Sequence, residues 1–261
     1  MTPALHEDVW IDHPRGRIFA RIWHGCPDQA PMVLFHDSLG CVELWRDFPA
    51  RLKAATGRTV IAYDRLGFGR SDPRQDTLPP DFVADEADTF FPLIREQLGL
   101  RGFVAFGHSV GGGMAVHCAA RYQDDCSALV TVAAQAFVGE ETRRGIQVAK
   151  EGFGQADQFE RLKKYHGEKA GWVLDAWTET WLSPAFANWS LAGVLPLVTC
   201  PLLAIHGADD EYGSVQHPAM IADLSGGPAR VAILADTGHV PHRERSAELI
   251  ALAAGFLAPA A

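Results

Sequence analysis

The stretch Phe103-Val104-Ala105-Phe106-Gly107-His108-Ser109-Val110-Gly111, continuing through Gly112, Gly113 and Met114 to Ala120, decides the fold. Four consecutive apolar residues closed by a glycine read as a buried strand, and the glycine- and alanine-rich run behind them is compatible with a helix. Ser109 stands between the two, with a glycine two residues before it and another two residues after it. A strand turning this sharply into a helix forces its central residue into a strained backbone conformation and leaves no room for side chains at the flanks. It also lifts the central hydroxyl to the top of a sheet. Ser109 is therefore the candidate nucleophile.

Two further apolar runs end in loops that carry polar groups. Pro201 to His206 leads into Gly207-Ala208-Asp209-Asp210, and Val231 to Leu234 leads into Asp236-Thr237-Gly238-His239. Serine, carboxylate and histidine thus each follow a predicted strand, where an open parallel sheet gathers its reacting groups. A serine hydroxyl is a weak nucleophile at neutral pH and needs a base to take its proton. Of the eleven histidines, His239 combines the post-strand position with a preceding glycine, and His242 is its rival, read as a rim or structural residue. His108 is expected to point away from the serine, because consecutive side chains diverge. The base in turn needs a carboxylate that fixes its tautomer. Asp209 and Asp210 compete for that role, while Asp236 lies too close to His239 along the chain to reach its far nitrogen comfortably. The Val110 N–H, at the start of the following helix, is free to face an oxyanion.

These motifs carry a resemblance to the α/β-hydrolase superfamily that extends from the His36 loop to His239 and the closing helix. Asp64-Arg65-Leu66-Gly67-Phe68-Gly69-Arg70-Ser71 is similar to the D-x-x-G-x-G-x-S turn after the superfamily's fourth strand, and Gly207-Ala208-Asp209-Asp210 to its G-x-x-D acid loop. The loop Asp37-Ser38-Leu39-Gly40, followed by Trp45, most resembles the N-S-L-G loop of 3-oxoadipate enol-lactonase-type proteins, with aspartate in place of asparagine. The resemblance implies that Asp210 orients His239 and that the Ser38 backbone amide, on the loop after the Met32–His36 strand, is the second oxyanion donor. It implies an α/β-hydrolase fold: a mostly parallel eight-stranded sheet, helices on both faces, and a helical cap inserted after strand 6. A serine at the nucleophile position argues against the superfamily's dehalogenases and epoxide hydrolases, which use an aspartate there.

Alternation of strands and helices along the chain predicts the same architecture independently. An edge hairpin covers Asp8 to Trp23 with a turn at His13-Pro14-Arg15-Gly16. Helices are predicted over Trp45–Ala54 and Phe82–Leu98, and strands over Thr59–Tyr63 and Ala128–Ala133. The alternation stops between Phe137 and Leu191, a helical stretch holding four of the seven tryptophans. Residues 137–191 are read as the cap, and 1–136 with 192–261 as the catalytic domain. Leu174, Trp177 and Trp181 fall on one helical face, and Trp177 and Trp181 are candidates for an apolar substrate pocket. Seven basic and eight acidic residues in this stretch nearly cancel, so Arg143, Arg144, Lys163, Lys164 and His166 read as a solvated face.

Twenty-three basic against thirty-two acidic residues give a net charge of −9, which argues against nucleic acid as a partner. No window approaches the roughly 18 apolar residues of a membrane span. The first nine residues have neither the basic start nor the apolar block of a secretory signal. The five cysteines show no C-x-x-C pair or metal-ligand spacing and read as free thiols of a cytoplasmic protein. No metal or cofactor is expected. The expected function is cleavage of a small ester or lactone through an acyl-enzyme. Alternatives with the same triad are a carbon–carbon bond hydrolase, a thioesterase or a slow-turnover ligand sensor.

Overall fold

The computed structural model describes residues 6–258. Eight strands form one sheet: β1 (Glu7–Ile11), β2 (Ile18–Trp23), β3 (Met32–Phe35), β4 (Val60–Tyr63), β5 (Phe103–His108), β6 (Cys126–Val132), β7 (Leu202–Gly207) and β8 (Ala229–Leu234). Their spatial order is β1-β2-β4-β3-β5-β6-β7-β8, parallel from β4 to β8, with antiparallel pairing of β2 to both β1 and β4. Every residue of β3, β4, β5 and β7 is buried. This matches the continuous apolar runs expected of parallel strands covered on both faces.

The two faces build separate cores. On one, Leu34, Phe106 and Val130 meet Phe48 and Leu52 of helix α1 (Phe48–Thr56) and Leu249 and Ile250 of helix α10 (Ser246–Leu257). On the other, Val33, Phe35 and Leu129 meet Ile94 of α3 (Phe91–Gln97), Met114 of α4 (Val110–Arg121) and Ile221 of α8 (Gln216–Leu224). The remaining helices are α2 (Phe82–Asp85), α5 (Glu140–Phe153), α6 (Ala156–His166), α7 (Ala170–Leu182) and α9 (Pro241–Glu244).

Two predicted helices differ in detail. The one expected from Trp45 is broken at Arg46, whose φ of 54° ends a short 3-10 turn over Val42–Trp45, and α1 begins afresh at Phe48 with Pro49 in its first turn. The single helix expected over Phe82–Leu98 is interrupted by a π-type turn, Glu86–Phe90, just before Pro92. Proline has no N–H to donate to the preceding turn and its ring clashes there, so the backbone widens ahead of it.

Between β6 and β7 the chain leaves the sheet to form α5, α6 and α7. Its two ends meet: Phe137 and Ser190 form an antiparallel bridge, and the Leu191 N–H donates to Ala136 O at 2.8 Å. Thr142 ties α5 to the loop after β7 by donating to Tyr212 O at 2.7 Å, and Trp172 of α7 packs on Phe68 with its ring centroid 5.5 Å away. His166 differs from the solvated face read from the sequence. It is buried, accepts from the Gly69 N–H at Nδ1 (2.9 Å) and bonds Leu39 O through Nε2 (3.0 Å), stitching α6 to two loops of the sheet body. Burial pushes its pKa down to about 4, which keeps the ring neutral as that pair of bonds requires.

Candidate active site

The elbow between β5 and α4 shows why its glycines are needed. Ser109 adopts φ 55° and ψ −126°, a region that side chains seldom enter. A Cβ on Gly107 would lie 2.1 Å from Gly111 O, and one on Gly111 would lie 2.2 Å from Phe35 O. No larger residue fits either position without moving backbone. The strained turn is held by the sheet itself, since the Ser109 N–H donates to Val132 O at 2.9 Å.

The loops after β7 and β8 bring the other two groups to this hydroxyl. Their close approach depends on Gly207, where a Cβ would stand 2.3 Å from both Thr237 O and Gly238 O. His239 Nε2 lies 3.0 Å from Ser109 Oγ, and its Nδ1 lies 2.9 and 2.8 Å from the two carboxylate oxygens of Asp210. A carboxylate beside Nδ1 keeps a proton there and leaves Nε2 as the acceptor that faces the serine hydroxyl. Burial alone would raise the Asp210 pKa, but the hydrogen bond and charge of His239, together with His206 and the Tyr212 N–H, hold it below the ordinary carboxylate value. For His239 burial acts downward, and Asp210, Asp37 and Glu211 outweigh it, so its pKa lies above the ordinary 6.5.

Of the two competing carboxylates, only Asp210 reaches the histidine. Asp209 turns outward and is exposed, and its N–H pairs with Thr237 O at 2.9 Å. Asp236 also points to solvent, with Arg245 3.6 Å away. His242 is buried against Trp45, their centroids 4.7 Å apart, in a structural position. His108 lies closer to the site than the expected divergence suggested. Its Nε2 is 2.7 Å from His239 O and its Nδ1 is 3.4 Å from Asp37 Oδ2, so the ring sits between two acceptors directly behind His239. The strand end that points Ser109 upward sends His108 sideways beneath the neighbouring loop, not out of the site.

Ser38 and Leu39, on the loop after β3, line the same cavity as Ser109 and His239. That loop is braced by the Arg65 guanidinium, which donates to Asp37 O at 2.8 Å, and by His36 Nδ1 on the same oxygen at 2.8 Å. Val110 opens α4 directly after Ser109, where a helix leaves its first N–H groups without intrahelical partners. The cavity measures about 190 Å³, of the order of the ~150 Å³ that holds one benzene ring in an engineered core. Trp177 and Trp181 of α7 and Ile146 of α5 form its apolar wall.

Besides Ile146, the lining includes Thr142, Gln135, Glu211 and Tyr212, which also went unnoticed in the sequence. Gln135 is buried three residues past the end of β6, with Oε1 3.3 Å from Ser109 Oγ. It obeys the same post-strand rule that singled out the other groups, and that rule could have found it. Tyr212 packs against His239 with the rings tilted and their centroids 4.7 Å apart, a neighbour that only the folded loop supplies. Among the described residues, no group of three or more His, Cys, Asp or Glu is placed to hold a metal ion, and no helix is long and apolar enough to cross a membrane.

A family profile described as the alpha/beta hydrolase fold matches residues 30–160. The chain belongs to the alpha/beta hydrolase fold family. Among relatives of this α/β-hydrolase, the (lyso)-N-acylphosphatidylethanolamine lipase of Bos taurus is 34% identical over 105 residues, which cover 40% of this chain and 30% of that protein. The chain thus spans under a third of the length of that lipase. A bifunctional esterase/perhydrolase of Acinetobacter calcoaceticus is 27% identical over 223 residues, 74% of this chain and 79% of the relative. The crystal structure of the enol-lactonase from Burkholderia xenovorans superposes with a TM-score of 0.73 at 20% identity, covering 95% of this chain and 99% of that one. At that identity the likeness concerns the fold alone.

Proposed function

We propose that this α/β-hydrolase is a serine hydrolase that cleaves small esters or lactones through an acyl-enzyme, with residues 137–191 serving as its cap. The reading rests on one observation, the continuous hydrogen-bonded chain Ser109–His239–Asp210 opening onto a small, mainly apolar cavity. Ser109 Oγ attacks the substrate carbonyl while His239 Nε2 takes its proton. The oxyanion that forms is held by the Val110 and Ser38 amides, which are fixed before the substrate arrives. As the tetrahedral intermediate collapses, His239 returns the proton to the departing alcohol oxygen. A water molecule, deprotonated by the same nitrogen, then attacks the acyl-serine, and as the acid is released His239 returns that proton to Ser109 Oγ. In a lactone the leaving oxygen stays tethered to the acyl group. Asp210 holds the tautomer throughout and stabilises the imidazolium. The names of the lipase and esterase relatives agree with this chemistry.

The direct test is rapid quenching of the enzyme with p-nitrophenyl butyrate, followed by peptide mass analysis. A butyryl adduct is expected on the peptide containing Ser109. An adduct on another residue, or turnover with no adduct under acylation-limited and deacylation-limited conditions alike, overturns the reading.

The pH dependence follows from the histidine. Only the neutral imidazole accepts a proton, and the charged form is favoured here, so kcat/KM is expected to fall as pH drops through a single pKa above 6.5. The onset of activity accordingly lies higher than for an unpaired histidine. A profile flat between about pH 5 and 9, on a substrate limited by acylation, would contradict this assignment.

A further inference from the structure

The cavity is charged in one sense. Among the described residues that line it, Asp37 and Glu211 carry carboxylates and none is lysine or arginine. Glu211 lies directly beside the histidine: its Oε2 accepts from the His239 N–H at 3.2 Å, while its own residue is exposed to solvent at the mouth. Asp37 approaches from the opposite loop, where one oxygen faces His108 and Oδ1 is buried without a hydrogen-bond partner. Asp210 adds a further carboxylate at His239 Nδ1, and the Glu244 carboxylate accepts from the Gly238 and Val240 N–H groups on either side of that residue. Arg65 lies behind the loop, offering its guanidinium to Asp37 O, and shares its pocket with the buried Glu86.

The wall between the carboxylates is aromatic. Tyr212 lies tilted against His239 and meets Trp177 edge-on at 5.8 Å, and aromatic faces attract cations when water is excluded. An anion entering this space would meet both carboxylates and no lysine or arginine among the described lining residues, whereas an ammonium group would find carboxylate and aromatic side chains together. In the proposed reaction the leaving group lies beside His239 Nε2 to receive its proton, within the same cavity that Asp37 and Glu211 line.

We propose that the preferred substrates are esters whose alcohol or thiol portion bears a positively charged ammonium group, and that anionic esters are excluded. This rests on the serine-hydrolase reading above and names its substrate class, with Glu211 and Asp37 as the residues that set it.

Three thioesters of similar length test the idea: butyrylthiocholine, the neutral S-(3,3-dimethylbutyl) thiobutyrate, and the anionic S-butyryl-3-mercaptopropionate. Thiol release is followed with a disulfide dye, and each kcat/KM is divided by the substrate's hydroxide-catalysed rate. The expected order is cationic, neutral, anionic, with about tenfold per unit of charge for a pair roughly 12 Å apart at an effective dielectric of about 20. Glu211→Gln is expected to narrow the cation-to-anion ratio several-fold, and about 0.5 M salt to narrow it further through screening. Asp37→Asn should act in the same direction. Glu211 is exposed, so its variant keeps the test decisive even if Asp37→Asn does not fold. Equal rates within twofold for the three substrates, or a ratio unchanged in Glu211→Gln, overturns the charge preference while leaving the serine-hydrolase reading intact. Absence of turnover on all three, with no acyl adduct on Ser109, overturns both.

Discussion

Ser109→Ala is expected to lower kcat on p-nitrophenyl butyrate by about 10⁵ to 10⁶, the loss found when a triad nucleophile is removed, leaving only binding and the oxyanion donors. The effect belongs to chemistry and not to folding. Alanine keeps the Cβ that serine carries at φ 55°, so the backbone strain is the same in both proteins. Among the described residues, the hydroxyl it removes contacts His239 and Gln135 at the cavity floor. The thermal midpoint should therefore stay within a few degrees of wild type while activity vanishes. Initial rates and a melting curve on the same preparation check both halves. Retention of more than about a tenth of the rate would remove Ser109 from the mechanism.

The second large effect separates adjacent carboxylates. Asp210→Asn is expected to cost about 10⁴ in kcat, as the corresponding change does where a carboxylate sets a histidine's tautomer. In this protein both oxygens of Asp210 contact His239 Nδ1, and Oδ1 also accepts from the Tyr212 N–H at 2.8 Å. That N–H fixes the side-chain oxygen of an asparagine and turns its NH₂ toward Nδ1. Nδ1 then becomes an acceptor, the proton moves to Nε2, and Nε2 can no longer take the serine proton. Loss of the negative charge also lowers the histidine pKa, so the residual activity should appear at lower pH than in wild type. Asp209→Asn, at an exposed position, should change the rate by no more than about twofold. Comparison of the two pH–rate profiles reads all of this at once. A larger loss in Asp209→Asn, with both variants folded, would exchange the roles.

Much of this site was legible because its groups obey a local rule. Ser109, Asp210 and His239 each follow a strand whose apolar run is visible in the sequence, and an open parallel sheet sends such residues to one edge whatever the intervening chain does. The glycines at 107 and 111 were legible for the same reason, since their necessity lies in a turn only five residues long. The choice between Asp209 and Asp210 needed outside help from the G-x-x-D resemblance. Two neighbouring residues on a loop point in different directions, and only the course of the chain after β8 determines which of them faces His239.

What the sequence by itself determined was periodicity: the order of strands and helices, the strained serine turn, and the place where strand–helix alternation stops after β6. Those features depend on contacts within a few residues. The tertiary structure alone decided which distant groups share a cavity. His166, which reads as part of a charged surface, is buried between Gly69 and Leu39 because α6 folds back onto two loops about 100 and 130 residues earlier in the chain. His108 lies behind His239, Tyr212 packs tilted against its ring, Glu211 accepts from its N–H, and Asp37 reaches His108 from the loop after β3. No spacing along the chain encodes these neighbours, because each contact joins loops whose meeting point is set by sheet order and helix packing.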